Sequence, residues 1–172
     1  MAHRPFGSPL TTKKPTREVR VQIDSRYELI ELVQRTAEGL SRAARLGRST
    51  TLNVGLAVRE AVANAIKHGN RLQAAKRVLI IFRVDPGKLV VAVRDQGIGF
   101  DLEGVRDPLA PENVVANHGR GIFFMNSFVD EVRFSRLPGG GTEVRMEKRA
   151  ARGRKGRSQA PRTPMSQGGQ VR

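Results

Sequence analysis

Residues 77–84 and 89–94 are two runs rich in Val and Ile, separated only by Asp85-Pro86-Gly87-Lys88. A Pro-Gly pair in so short a link makes a turn, and β-branched residues suit a pleated surface. The two runs read as an antiparallel hairpin. The second contains Leu89-Val90-Val91-Ala92-Val93 with no polar residue, as a buried strand does. The rest of the chain is organised around the segment at the end of that strand, Arg94-Asp95-Gln96-Gly97-Ile98-Gly99-Phe100-Asp101.

An acidic residue at a strand end, followed by two glycines, suits a place where backbone comes close to a ligand. Ionised, Asp95 offers only hydrogen-bond acceptors. Gly97 and Gly99 place no Cβ in the way of a bound group and permit positive φ. Taken alone, these residues also describe an ordinary glycine-rich turn, so the functional case rests on their neighbours.

Before the hairpin, residues 17–23 alternate polar and apolar, as a strand with one buried face does. Asp24 or Ser25 is positioned to cap a helix ending near Leu46-Gly47. Ser49 or Thr50 starts a second helix, which Gly69-Asn70 stops. After the Asp95 motif, residues 102–118 contain Pro108, Pro111, Asn113 and Asn117 with little periodicity, a long loop of the functional kind. Gly119-Arg120-Gly121 then opens an apolar helix. Residues 129–137 and 142–148 alternate as strands about Pro138-Gly139-Gly140-Gly141. Helices grouped against a mainly antiparallel sheet give an α+β fold in two layers.

The length of 172 residues suits one domain with a real core. The chain has no cysteine, which rules out disulfides and thiolate zinc sites. No apolar run approaches a membrane span, and no signal-peptide core is visible at the amino terminus, so a cytoplasmic location is expected. Of the net charge of +15, residues 1–16 carry +3 and residues 150–172 carry +6, with no acid in either. Both stretches are poor in apolar residues and are expected to be disordered basic tails around a domain at 17–149. They could touch acidic partners electrostatically. Direct nucleic-acid binding is not expected, because no helix-turn-helix, zinc finger or aromatic single-strand platform is present.

Three islands carry the chemistry. On the second helix, Glu60 and Asn64 stand four residues apart, an advance of about 400° and about 6 Å that stacks them on one face. A solvent-facing stripe is the plain alternative, but Arg59 and Lys67 already supply long charged groups for solvent. Asn64, between Ala63 and Ala65, offers an amide oxygen in a tight space, a hard neutral ligand suited to Mg²⁺. The second island is the Asp95 motif. The third is Asn117-His118-Gly119-Arg120-Gly121-Ile122, a helix start whose exposed N–H groups suit phosphate. His118 reads as a loop histidine, and the spacing of the three histidines supports no metal site.

In this order and at these separations, the islands resemble the N, G1 and G2 boxes of the GHKL ATP-binding fold shared by histidine kinases, gyrase and Hsp90. The nearer resemblance is to the bacterial anti-sigma-factor serine/threonine kinases. It is carried by Glu60-Ala61-Val62-Ala63-Asn64-Ala65-Ile66-Lys67-His68-Gly69, then Asp95-Gln96-Gly97-Ile98-Gly99-Phe100-Asp101, then Gly119-Arg120-Gly121-Ile122-Phe123-Phe124-Met125. It spans roughly residues 17–149. No histidine-bearing dimerisation helices or further gyrase-type domains are expected, and no P-loop sequence is present.

The resemblance implies a two-layer α/β sandwich with helices on one face of a mixed, mainly antiparallel sheet. It implies ATP and Mg²⁺ as cofactors. Asp95 would accept a hydrogen bond from the adenine amino group, with Thr142 supporting it, often through water. Gly97 and Gly99 would let the loop pack beside the base, and Asn64 would hold Mg²⁺. Gly119 and Gly121 would bring amides onto the phosphates, with Arg120 as a further phosphate contact and residues 102–118 as the lid. Glu60 would be the general base for a substrate hydroxyl, a role set by geometry, since phosphoryl transfer depends on positioning and charge neutralisation. The partners implied are a sigma factor and a STAS-type anti-anti-sigma protein substrate, and the assembly a homodimer. Two other readings are a non-catalytic nucleotide-sensing regulator and a basic nucleic-acid binder with a decayed ATP site. The Glu60/Asn64 pair favours catalysis over the first, and three intact boxes oppose the second.

Overall fold

The computed structural model describes residues 17–98 and 119–151. Five strands, β1 (Arg17–Asp24), β2 (Arg77–Asp85), β3 (Lys88–Arg94), β4 (Glu131–Arg136) and β5 (Thr142–Arg149), form one sheet in the order β1-β2-β3-β5-β4. Every described pairing is antiparallel, with Ile23 opposite Val78, Ile80 opposite Val93, and Val91 opposite Met146. The alternation read in β1 and the hairpin of β2 and β3 stand as expected.

Alternation decides where the helices go. Ile23, Val78, Ile80, Phe82, Leu89, Val91, Val93, Val144 and Met146 point to one face and join the core. Against them pack α1 (Ile30–Ala43), α2 (Arg48–Asn64) and α3 (Gly119–Phe128). α1 contributes Ile30, Val33 and Ala37 at helical spacing, α2 contributes Val54, Ala57, Val58, Ala61 and Val62, and α3 contributes Met125. The opposite sheet face carries ion pairs between strands, Arg94–Glu143 at 2.6 Å, Lys88–Glu147 at 2.8 Å and Arg83–Glu18 at 3.0 Å. Such a face does not seat a second helical layer. The result is the two-layer α+β architecture, with the described helices all on one side.

Three helix boundaries differ from the sequence expectation. α1 ends at Ala43 rather than near Leu46-Gly47. Arg45 takes a left-handed φ of 61°, its N–H bonding the Arg42 carbonyl at 2.9 Å while Leu46 N–H bonds the Ser41 carbonyl at 3.0 Å. That is a Schellman stop with Arg where glycine is usual. Gly47 instead occupies the N-cap of α2, so Ser49 and Thr50 lie inside the helix, and no side chain caps it. Nor do Asp24 and Ser25 cap the first helix, which is preceded by a 3₁₀ turn, Tyr27–Leu29, whose N-cap is Arg26. The Ser25 hydroxyl accepts a hydrogen bond from Asn70 Nδ2 at 2.7 Å.

α2 changes pitch at the site. After Asn64 the chain makes a π turn, Ala65–Gly69, closed by Asn70 N–H to the Ala65 carbonyl at 2.7 Å. Such widened turns recur at functional positions. Among the described residues no helix is long and apolar enough to cross a membrane.

Candidate nucleotide site

The three sequence islands meet at one end of the helix layer. Asp95, just past β3, continues the alternation that turns Val93 inward, so its side chain enters the helix layer. It is 7% exposed, and its carboxylate packs against Gly69 at the end of the π turn. Oδ1 accepts hydrogen bonds from Gly97 N–H at 2.8 Å and Thr142 N–H at 3.1 Å. Asp95 N–H in turn donates to the Thr142 carbonyl at 3.1 Å. Thr142 therefore holds Asp95 through its backbone. Both of these side-chain bonds fall on Oδ1, and Oδ2 faces Gly69, outside that pair of bonds.

The glycines have a spatial reason to be there. A Cβ on Gly97 would strike the Gly69 carbonyl, and one on Gly69 would overlap the Asp95 carboxylate. The helical stretch ends at Gly69, as the sequence indicates. Glycine is needed there for the close approach of Asp95, and the left-handed residues that turn the chain are Arg71 and Leu72.

Sequence reasoning missed Asn70, which ties this corner together. It has no exposed surface. Its Nδ2 donates to Ser25 Oγ at 2.7 Å and to the Arg77 carbonyl at 3.0 Å, and its Oδ1 accepts from Gln96 N–H at 2.7 Å. Gln96 Oε1 also accepts from Arg77 N–H at 2.7 Å. The helix end, β1, β2 and the Asp95 strand end are thus joined through one amide. The only sequence signal was an Asn beside the helix-ending glycine.

Glu60 and Asn64 occupy the last two turns of α2, both half-buried. Glu60 reaches the first turn of α3, where its carboxylate lies beside the α-carbon of Gly121. The first island is therefore in contact with the second through Gly69 and Asp95, and with the third through Glu60 and Gly121. Gly119 starts α3 with Arg120 next to it. Gly99, His118 and the expected lid at 102–118 lie outside the described residues, as do the tail expected at 1–16 and, of the tail expected at 150–172, residues 152–172.

A cavity of about 440 Å³ borders Gln96 and Gly97 between Arg77, Leu79, Arg94 and Leu137. Asp95 also borders it, while Leu79 and Arg94 point away from the helices, so the cavity opens toward the outer face of the sheet.

The profile of the histidine kinase-like ATPase domain matches residues 23–148, from the end of β1 through the three described helices to the penultimate residue of β5. The chain belongs to the histidine kinase-like ATPase domain family. Among curated relatives of this ATPase domain, the serine-protein kinase RsbW of Staphylococcus aureus is 28% identical over 76% of this chain and 85% of its own. The anti-sigma F factor of Bacillus velezensis is 37% identical over 53% of this chain and 64% of its own. A solved structure of the RsbU and RsbW domains of a Mycobacterium tuberculosis protein shares the fold, with a TM-score of 0.56 at 18% identity. It aligns to 78% of this ATPase-domain chain, which spans about a third of that longer protein, 32%.

Proposed function

We propose that this protein is an ATP- and Mg²⁺-dependent serine/threonine kinase and anti-sigma factor, which binds a sigma factor and phosphorylates a STAS-type anti-anti-sigma protein. Relatives named as serine-protein kinases and as an anti-sigma factor support the class. The observation that carries the catalytic reading is a pair of contacts at the end of α2 and the π turn that follows it: Glu60 against Gly121 in the first turn of α3, and Gly69 against Asp95.

The donor set fits a nucleotide. The buried Asp95 carboxylate keeps Oδ2 outside its bonds to Gly97 and Thr142, as an acceptor for an adenine amino group requires. Gly97 and Gly99 leave room beside the base. Gly119 and Gly121 bring backbone amides of α3 to the phosphates, with Arg120 beside them. Asn64 Oδ1 would hold Mg²⁺, a hard cation suited to a neutral oxygen ligand, which would neutralise charge on the phosphates. ATP supplies the γ-phosphoryl group, and ADP leaves. Glu60 takes the proton from the attacking serine or threonine hydroxyl, whose oxygen forms the new bond to phosphorus.

In this reading residues 17–149 are the kinase domain, flanked by the basic tails 1–16 and 150–172, and the protein works in the cytoplasm as a homodimer. The test is transfer of label from ATP to a cognate antagonist. Glu60→Gln is expected to bind nucleotide and transfer none. Asn64→Ala is expected to lose Mg²⁺-dependent ATP affinity. Wild-type protein that binds ATP yet labels no antagonist is instead a nucleotide-sensing regulator without catalysis.

A further inference from the structure

The contact between Glu60 and Gly121 has a meaning of its own, which rests on the kinase reading of Glu60. A Cβ built on Gly121 falls 2.6 Å from Glu60 Cδ and 2.9 Å from Cγ, and nearer still to Oε1. Carbon atoms in contact sit at about 3.5–4.0 Å. A methyl group on Gly121 and the present Glu60 side chain therefore exclude one another.

A backbone amide aimed at phosphate does not by itself demand glycine, since every residue except proline carries one. The bare α-carbon is demanded by the glutamate. We infer that Gly121 is a positioning residue for Glu60: its α-carbon is the seat on which the first turn of α3 holds the carboxylate. α3 is itself fixed by packing, with Met125 fully buried in the core, so the seat does not drift freely. The base is thereby set from two sides, by α2 that carries it and by α3 that bounds it. Withdrawal of the α3 amino terminus removes the second boundary.

Three variants test this: Gly121→Ala, Glu60→Asp and the two combined. Glu60→Asp retracts the carboxylate by one methylene, about 1.5 Å, and frees the contested space. Gly121→Ala alone is expected to lower kcat for phosphotransfer at least about tenfold while KM for ATP moves less than about threefold. The same change made in the Glu60→Asp background is expected to cost no more than about twofold. An equal kcat loss in both backgrounds, or a loss confined to KM for ATP, overturns the seat. Thermal unfolding of the four nucleotide-free proteins gives a second reading. The stability lost in Gly121→Ala is expected to be recovered in the double variant, and strictly additive losses overturn the inference. If wild-type protein binds ATP and transfers nothing, the kinase reading fails, and the unfolding cycle alone decides the contact.

Discussion

The carboxylate of Asp95 rests on the α-carbon of Gly69. A Cβ at position 69 would lie 2.7 Å from the Asp95 Cβ and closer still to Cγ and Oδ2. Neither partner can give way cheaply, because Asp95 is buried and held through Oδ1 by Gly97 and Thr142. Gly69→Ala is expected to destabilise the fold by about 1–3 kcal/mol, as overpacking does. It is also expected to weaken ATP binding more than that loss explains, because the displaced group is the proposed adenine acceptor. Urea unfolding and a direct ATP titration check both. Unchanged affinity in a folded Gly69→Ala protein removes Asp95 from the nucleotide contact.

Asn70→Ala strips three hydrogen bonds from a residue with no exposed surface. It removes the partner of the part-buried Gln96 N–H and Arg77 carbonyl and leaves the buried Ser25 hydroxyl without its donor, and unsatisfied groups are costly in proportion to their burial. A loss of about 2–4 kcal/mol is expected in urea unfolding. A loss below about 0.5 kcal/mol, the size of an ordinary surface change, means the amide does not hold the corner.

Asn70 also marks where sequence reading stops. β1, the β2–β3 hairpin and α3 were legible because their signals are local: alternation, a Pro-Gly turn, an apolar run. The three islands were legible by their order and types. Their contacts were not, because the residues that join them lie far apart in the chain. Ser25 is 45 residues from Asn70, and Gln96 is 26 residues away. Gly69 does end the helical stretch, but its contact with Asp95 was hidden, because a glycine needed for space and one needed for a turn are the same letter. Ser25 looked like a cap because its hydroxyl can serve any nearby donor, and the structure gives it Asn70. The early end of α1 was hidden for a related reason: a non-glycine residue, Arg45, takes the left-handed conformation that stops the helix before Leu46-Gly47.

The turn between β4 and β5 offers a contrast within three residues. Gly141 has a φ of 89°, and a Cβ there would strike the Asp95 carbonyl oxygen. Gly139 has no atom within 4 Å of its would-be Cβ and does not need positive φ. Gly141→Ala is therefore expected to destabilise by about 1–3 kcal/mol from backbone strain and from the clash. Gly139→Ala should be neutral or gain up to about 1 kcal/mol, by restricting the unfolded chain. Paired unfolding curves under one set of conditions decide this, and equal effects at both positions defeat the assignment.

The outer sheet face makes a prediction about acid. The Glu147 side chain is 12% exposed and pairs with Lys88 at 2.8 Å and Arg149 at 2.7 Å. The hydrogen bond from Lys88 is the main cause that holds its carboxyl below the ordinary 4.5; partial burial opposes it and the Arg149 bond assists. A carboxyl lowered in the folded state binds its proton more readily when unfolded. Its stabilisation is thus complete above the unfolded value and disappears as pH falls through the folded one. Glu147→Gln, which cannot ionise, should be less stable than wild type at neutral pH. The gap should narrow as pH drops below 4.5. Urea midpoints for both proteins, taken from neutral to acid, measure it. A gap that stays constant across that range would show that the ion pairs of Glu147 add nothing to the fold.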